Sequence, residues 1–190
     1  MFNLEQTEGI EIPELETRDF HPINEAEKVI HEMPNAPFIE HNEPRAYYRP
    51  SDDVVNMPKA NLFQSNEEYY STLFHELTHS TGHKDRLNRD EIAKVSAFGS
   101  HDYSKEELVA EMGSAFLCGH CSIEPTVIEN QAAYIQNWLK QLRSNKKWLV
   151  YAAATAQKAA DFILGIQHKE ENSLPGGHQA GNHENATPNG

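Results

Sequence analysis

Behind Ser65, apolar side chains recur at helical intervals: Tyr69, Leu73, Phe74 and Leu77 fall three to four residues apart on one stripe. Ser65 and Glu68 form an S-x-x-E capping box at the start of this stretch, where side-chain oxygens satisfy orphaned backbone N–H groups. Gly82 stands just past its end, where a left-handed cap favours a residue without Cβ. A second box, Ser104 and Glu107, opens a helix carrying Leu108, Val109, Met112, Ala115, Phe116 and Leu117, with Gly119 near its end. Two more helical patterns follow. Residues 127–142 place Ile128, Ala132, Ile135, Trp138, Leu139 and Leu142 at spacings of three and four, and the Ala-rich stretch 145–164 stops at Gly165.

Upstream, residues 24–33 have helical composition and end at Pro34. Residues 35–45 carry Pro37 and Pro44 and read as loop or edge structure. Ala46-Tyr47-Tyr48 and Asp53-Val54-Val55-Asn56-Met57 read as two short strands, the second closed by Pro58. Residues 83–103 are polar, with Leu87, Ile92, Val95 and Phe98 as the expected core contacts. Residues 1–22 read as an extended N-terminal arm. From residue 169 onward there is almost no large apolar side chain to offset ordering entropy, so 169–190 reads as a disordered polar tail. One domain over 23–168 remains, of α+β class.

Composition narrows the function. The 190 residues carry 29 acidic against 16 basic side chains, a formal charge of −13. Phosphate neutralisation needs clustered Lys and Arg, so DNA binding by this chain alone is not expected. Lys84, Arg86 and Arg89 are the nearest thing to a basic stripe, and a weaker nucleic-acid reading rests on them. Two cysteines are too few for a secreted disulfide framework. No signal-peptide pattern opens the chain, and no apolar run approaches the ~20 residues of a membrane helix, so the expected location is the cytoplasm.

The capped helix carries His75-Glu76-Leu77-Thr78-His79, the pattern H-E-x-x-H. Positions i and i+4 share one helix face, so both imidazoles can meet one Zn²⁺ ion. Glu76 then lies beside the metal rather than on it, in reach of a water that zinc acidifies, and can act as general base. The plain alternative is a surface helix with two exposed histidines. A catalytic zinc needs a third protein ligand and an open position. Glu111 is preferred, because a carboxylate on a following helix is the gluzincin arrangement and the small residues behind it allow close approach. Glu107, Asp85 and His83 are the alternatives, with Glu107 also suited to hydrogen-bonding a ligand histidine or to capping with Ser104.

FHELTHSTGH, RLNR over 86–89 and YSKEELVAEMGSAFL over 103–117 resemble the zincin-like metallopeptidase domain of ArdC-type antirestriction proteins, also known from polyvalent proteins of phages and conjugative plasmids. The likeness extends through 46–58 and 132–164, covering roughly residues 25–165. It implies a small twisted sheet beside an H-E-x-x-H helix, with a C-terminal helical bundle behind. It also implies His75, His79 and Glu111 as ligands of Zn²⁺, Glu76 as the base, and a peptide or protein substrate. An edge strand within 46–57 would pair with an extended peptide. Family members usually carry an N-terminal single-stranded-DNA-binding domain. This chain resembles the C-terminal half, and its opening FNLEQTEG resembles the joining segment.

Other motifs are discounted. Cys118-Gly119-His120-Cys121 has the spacing of a redox motif, but it closes a helix instead of opening one after a strand, so half-buried free thiols are expected. Trp138 and Trp148 read as core. Tyr134 or His101 could stabilise a tetrahedral intermediate, and His178 and His183 read as solvated. Two functions follow: a zinc peptidase, or an antirestriction or binding module that keeps the zinc site for stability.

Overall fold

A computed structural model describes residues 17–89, 101–123 and 146–167. The expected helix over 127–142 with Tyr134 and Trp138, the contacts Ile92, Val95 and Phe98, the side chain of His101, and tail residues His178 and His183 lie outside the described set. Among the described residues the order is helix α1 (Asn24–Glu32), strands β1 (Phe38–Glu40), β2 (Tyr47–Arg49) and β3 (Val54–Asn56), then helices α2 (Asn66–Ser80), α3 (His101–His120) and α4 (Lys146–Ile163). This is α+β, with one mixed sheet. No described helix is long and apolar enough to cross a membrane.

The sheet order is β1-β3-β2, with β1 parallel and β2 antiparallel to β3. The two expected strands form, and residues 38–40 of the proline-bearing stretch add a third at the edge. β3 is central, which explains why it is buried throughout. It follows that β3 has no free edge for a peptide, and that within 46–57 only β2 keeps one among the described residues. Asn56 is fully buried and braces the turn between β1 and β2. Its Oδ1 accepts from the backbone N–H of Asn42 and Glu43, and its Nδ2 donates to the carbonyls of Glu43 and Arg45.

The core lies between sheet and helices. Val29 of α1, Val55 and Met57, the α2 stripe Tyr69, Leu73, Phe74 and Leu77, Leu117 of α3 and Ile163 of α4 bury one another. A smaller cluster joins Leu108 and Val109 of α3 to Ala152 and Ala156 of α4, so α3 packs between α2 and α4. Residues 17–22 have no regular structure but are pinned: Arg18 donates to the carbonyl of Phe63 and to Asn66 Oδ1, and Phe20 packs on Tyr69 and Tyr70.

The helix ends depart from expectation in two places. Ser65 caps α2 as read, accepting from the Glu68 N–H at 3.0 Å, and the Glu68 carboxylate accepts from the Gln64 N–H at 2.7 Å. Gly82, however, is not left-handed; Asn88, with φ 47°, is the left-handed residue of that turn. Arginines take the glycine's place. Arg86 Nε donates to the Ser80 carbonyl at 2.7 Å and Arg89 Nη2 to the Thr78 carbonyl at 2.9 Å, adding donors to buried last-turn carbonyls where cations also suit the helix dipole. Ser104 lies inside α3 rather than ahead of it, so it does not stand at an N-cap position. Gly165 does end α4 at φ 65°, with the Ile166 N–H on the Asp161 carbonyl and the Gly165 N–H on that of Phe162, a Schellman pattern.

Candidate metal centre

α2 and α3 meet over a glycine. A Cβ built on Gly113 would lie 2.5 Å from Thr78 Cγ2, so only a bare Cα lets the helices approach this closely. Ser114 Oγ donates to the Ser71 carbonyl at 2.7 Å, adding a buried tie beside it. The contact brings the acidic face of α3 against the histidine face of α2. Glu107 and Glu111 are one helical turn apart on that face, and Glu106 is rotated by about 100° from Glu107.

His75 and His79 are not exposed: both are largely buried, edge to face, with Nε2 atoms 3.1 Å apart. The Glu107 carboxylate faces both, Oε2 at 3.6 Å from His75 Nε2 and Oε1 at 3.4 Å from His79 Nε2. Two donors held about 2.0–2.1 Å from one tetrahedral ion sit about 3.4 Å apart, so the 3.1 Å between the two Nε2 atoms suits a shared ion, with one Glu107 oxygen beside each ring. His75, His79 and Glu107 are the group of three that converges in this way among the described residues. Two imidazoles and one carboxylate are also a donor set that zinc accepts.

The remaining nitrogens face carboxylates. Glu111 Oε1 lies 3.5 Å from Nδ1 of His75, and Glu106 Oε1 lies 3.3 Å from Nδ1 of His79. Sequence reasoning ranked Glu111 first for the ion and gave Glu107 a hydrogen-bonding place. In the structure Glu107 faces the Nε2 pair and Glu111 the far side of the His75 ring. Asp85 and His83 stand apart from these donors. Asp85 is exposed, and its backbone N–H and carboxylate face His83 Nδ1.

Glu76 is buried on the same helix, and its carboxylate has no hydrogen bond or ion pair among the described residues. It is near enough to influence the charge of His79 and Glu111. Burial opposes protonation of His79, yet Glu106 and Glu107 outweigh it and push its pKa up to about 10. Burial would raise Glu107, but the two histidines hold it well below the usual carboxylate range. Burial lifts Glu111 above its ordinary value. Four carboxylates around two imidazoles make the place electrostatically suited to a cation.

Two residues were missed as parts of this site. Glu106 is buried and held by Arg89, whose Nε and Nη2 donate to its Oε2 and Oε1 at 3.1 and 2.5 Å. Arg89 stood in the sequence as part of a basic stripe. Instead Arg86 and Arg89 are buried in ion pairs, leaving Lys84 as the stripe's remaining cation. The signal was the Glu106-Glu107 doublet: adjacent helical carboxylates point about 100° apart, so the second can meet a different nitrogen of the histidine pair, and a buried one needs a cation. Cys118 and Cys121 are free as expected, but fully rather than half buried, and burial raises both thiols, Cys121 to about 11. Neither is activated. Trp148 is only partly buried, with Lys105 Nζ 3.8 Å over its ring.

Two histidines one turn apart on a helix, facing a carboxylate of a second helix beside a small sheet, define a metal-site α+β domain of zincin type. The chain belongs to the zincin-like metallopeptidase family, whose model matches residues 24–155. It is 37% identical over 171 residues to a DNA primase TraC of Escherichia coli, covering 90% of this chain and 16% of that protein. It is 35% identical over 168 residues to the uncharacterized protein y4eC of Sinorhizobium fredii, covering 88% and 53%. Among solved structures it is similar to the antirestriction protein ArdC from plasmid R388. The Mn(II)-bound form matches with TM-score 0.58 and 37% identity over 76% of this chain and 51% of that one. The metal-free form matches with TM-score 0.58 and 36% identity over 87% and 58%. The chain thus spans less than two thirds of each of these relatives.

Proposed function

We propose that this domain is a metal-dependent hydrolase of peptide bonds, in which His75, His79 and Glu107 hold a divalent ion, zinc by donor chemistry, and Glu76 is the general base. The observation that carries this reading is the convergence of three donor atoms within 4.8 Å of one another, beside a buried Glu76 carboxylate with no partner among the described residues. The Mn(II) in one ArdC structure supports a metal at this family's site, and affinity orders alone do not single out one ion. A bound ion supplies Lewis-acid chemistry, polarising a carbonyl and acidifying water. Glu76 accepts the proton of the attacking water and returns it to the leaving amine. Glu106 and Glu111 orient the imidazoles through Nδ1, so that Nε2 points inward. The free edge of β2 offers main-chain hydrogen bonds to an extended substrate, a peptide or protein met in the cytoplasm.

Glu76→Gln keeps the volume and removes the base. It is expected to lower hydrolysis of a peptide library by about 10²–10⁴-fold, with metal stoichiometry and thermal midpoint unchanged. Activity equal to the wild type on every cleaved substrate removes Glu76 from the chemistry.

A second reading has one observation behind it, the description of ArdC as an antirestriction protein. On that reading the ion is structural, and the domain binds rather than cleaves. Restriction protection would then survive Glu76→Gln and be lost in His75→Ala. Protection that tracks Glu76 favours the hydrolase.

A further inference from the structure

The two histidines are oriented by different means. Among the described residues, His75 Nδ1 meets Glu111, at 3.5 Å. His79 Nδ1 meets Glu106 at 3.3 Å, and Glu106 is locked in turn by the Arg89 guanidinium through both of its carboxylate oxygens. Arg89 is itself fastened to the end of α2, Nη2 to the Thr78 carbonyl at 2.9 Å and Nη1 to Thr81 Oγ1 at 2.6 Å. Arg89 and Glu106 are both less than a tenth exposed, and Thr78 and Thr81 are fully buried.

We propose that Arg89 and Glu106 form a positioning clamp that fixes the ring plane and tautomer of His79 and thereby sets the metal affinity of the site. The inference rests on His79 being a ligand. A neutral imidazole offers one lone pair, and which nitrogen carries it is decided by the hydrogen bond the other makes. With Nδ1–H donated to Glu106, the lone pair sits on Nε2, the atom that faces His75 and Glu107. The clamp also closes on its own helix. Arg89 grips the last turn of α2, which bears His79, and Glu106 belongs to α3, which bears Glu107, so one guanidinium fixes the relative position of two ligands. Lysine could supply the charge but not the planar fork that holds two oxygens at once.

The test uses the full chain, with Zn²⁺ as probe and competition against a chromophoric chelator as readout. Glu106→Gln and Arg89→Lys are compared with the wild type. ¹⁵N shifts of the His79 ring report the tautomer, and thermal midpoints in chelator report the fold. Both variants are expected to bind one Zn²⁺ with affinity lowered about 10–100-fold, with His79 no longer held as the Nδ1–H tautomer. If Glu106→Gln fails to fold, Arg89→Lys carries the test by itself, since it keeps both the buried charge and the Glu106 carboxylate. Wild-type affinity and an unchanged His79 tautomer in a folded variant would overturn the clamp and leave the metal site standing. A lower melting point with wild-type affinity would make the pair a packing element only, which also overturns it. No Zn²⁺ binding by the wild type removes the metal reading and the clamp with it.

Discussion

Glu107 and Glu111 differ by one helical turn, yet they face opposite sides of the His75 ring: Glu107 lies toward Nε2 and Glu111 toward Nδ1. A donor on the Nε2 side can share an ion with His79, whereas one on the Nδ1 side can only hold the ring. Substitution should therefore split the two. Glu107→Ala is expected to abolish tight binding of Zn²⁺, while Glu111→Ala keeps one ion per chain and loses about 10–100-fold in affinity. Elemental analysis of desalted protein and chelator competition read the two outcomes; the reverse pattern would restore Glu111 as the ligand. The sequence held the pair in view but not the order, because two carboxylates at i and i+4 share a face and the spacing is silent on which meets which nitrogen.

The α2–α3 pair is the element that makes the site, and its closest point is Gly113 against Thr78. Thr78 is fully buried, and its Oγ1 donates to the Phe74 carbonyl at 2.7 Å, so it has little room to yield. Gly113→Ala is expected to cost about 1–3 kcal/mol by overpacking, against the small gain alanine brings to a helix interior. Because the strain is relieved by separating α2 from α3, metal affinity should fall as well. Denaturant unfolding and Zn²⁺ titration of the same variant read both effects, and a more stable Gly113→Ala would show that the helices have slack. Helix identity was legible here. Ser65 caps where its box predicts, and the apolar stripe of α2 is the core face. The ends were less so: Gly82 and Ser104 look like cap residues, but whether a cap is needed depends on what else satisfies the helix terminus. At α2 two arginines of the segment that follows add donors there.

At the scale of the molecule, Arg86 joins parts far apart in the chain. Its buried guanidinium reaches the Asn35 carbonyl, Tyr48 Oη and both oxygens of Asp53, while Nε holds the end of α2. Tyr48 Oη donates to the same Asp53 carboxylate at 2.8 Å. Burial would raise the Asp53 carboxyl, but the bonds from Arg86 and Tyr48 outweigh it and lower its pKa. A lowered folded-state value means that the stability from this latch is complete above the unfolded carboxylate pKa, about 3.9, and is lost as pH falls through the folded value. Asp53→Asn suits the left-handed backbone at that position, φ 54°, so it tests the charge rather than the turn. It is expected to cost on the order of 1–3 kcal/mol near pH 7, with the gap to wild type closing as the pH falls below about 3.9. Urea titrations across that range read it, and a gap independent of pH would assign the latch to packing. By itself the sequence determined the α+β class, the helix bearing His75, Glu76 and His79, the short strands and the acidic face of α3. These depend on local periodicity, on capping chemistry and on spacing within one helix, all of which are properties of a single segment. Only the tertiary structure decided that β3 is central, that Glu107 faces the Nε2 pair, and that Arg86 and Arg89 are buried latches instead of a basic surface. Those outcomes depend on which segments meet and at what rotation, and a buried charge declares itself only when its partner, distant in sequence, is in place.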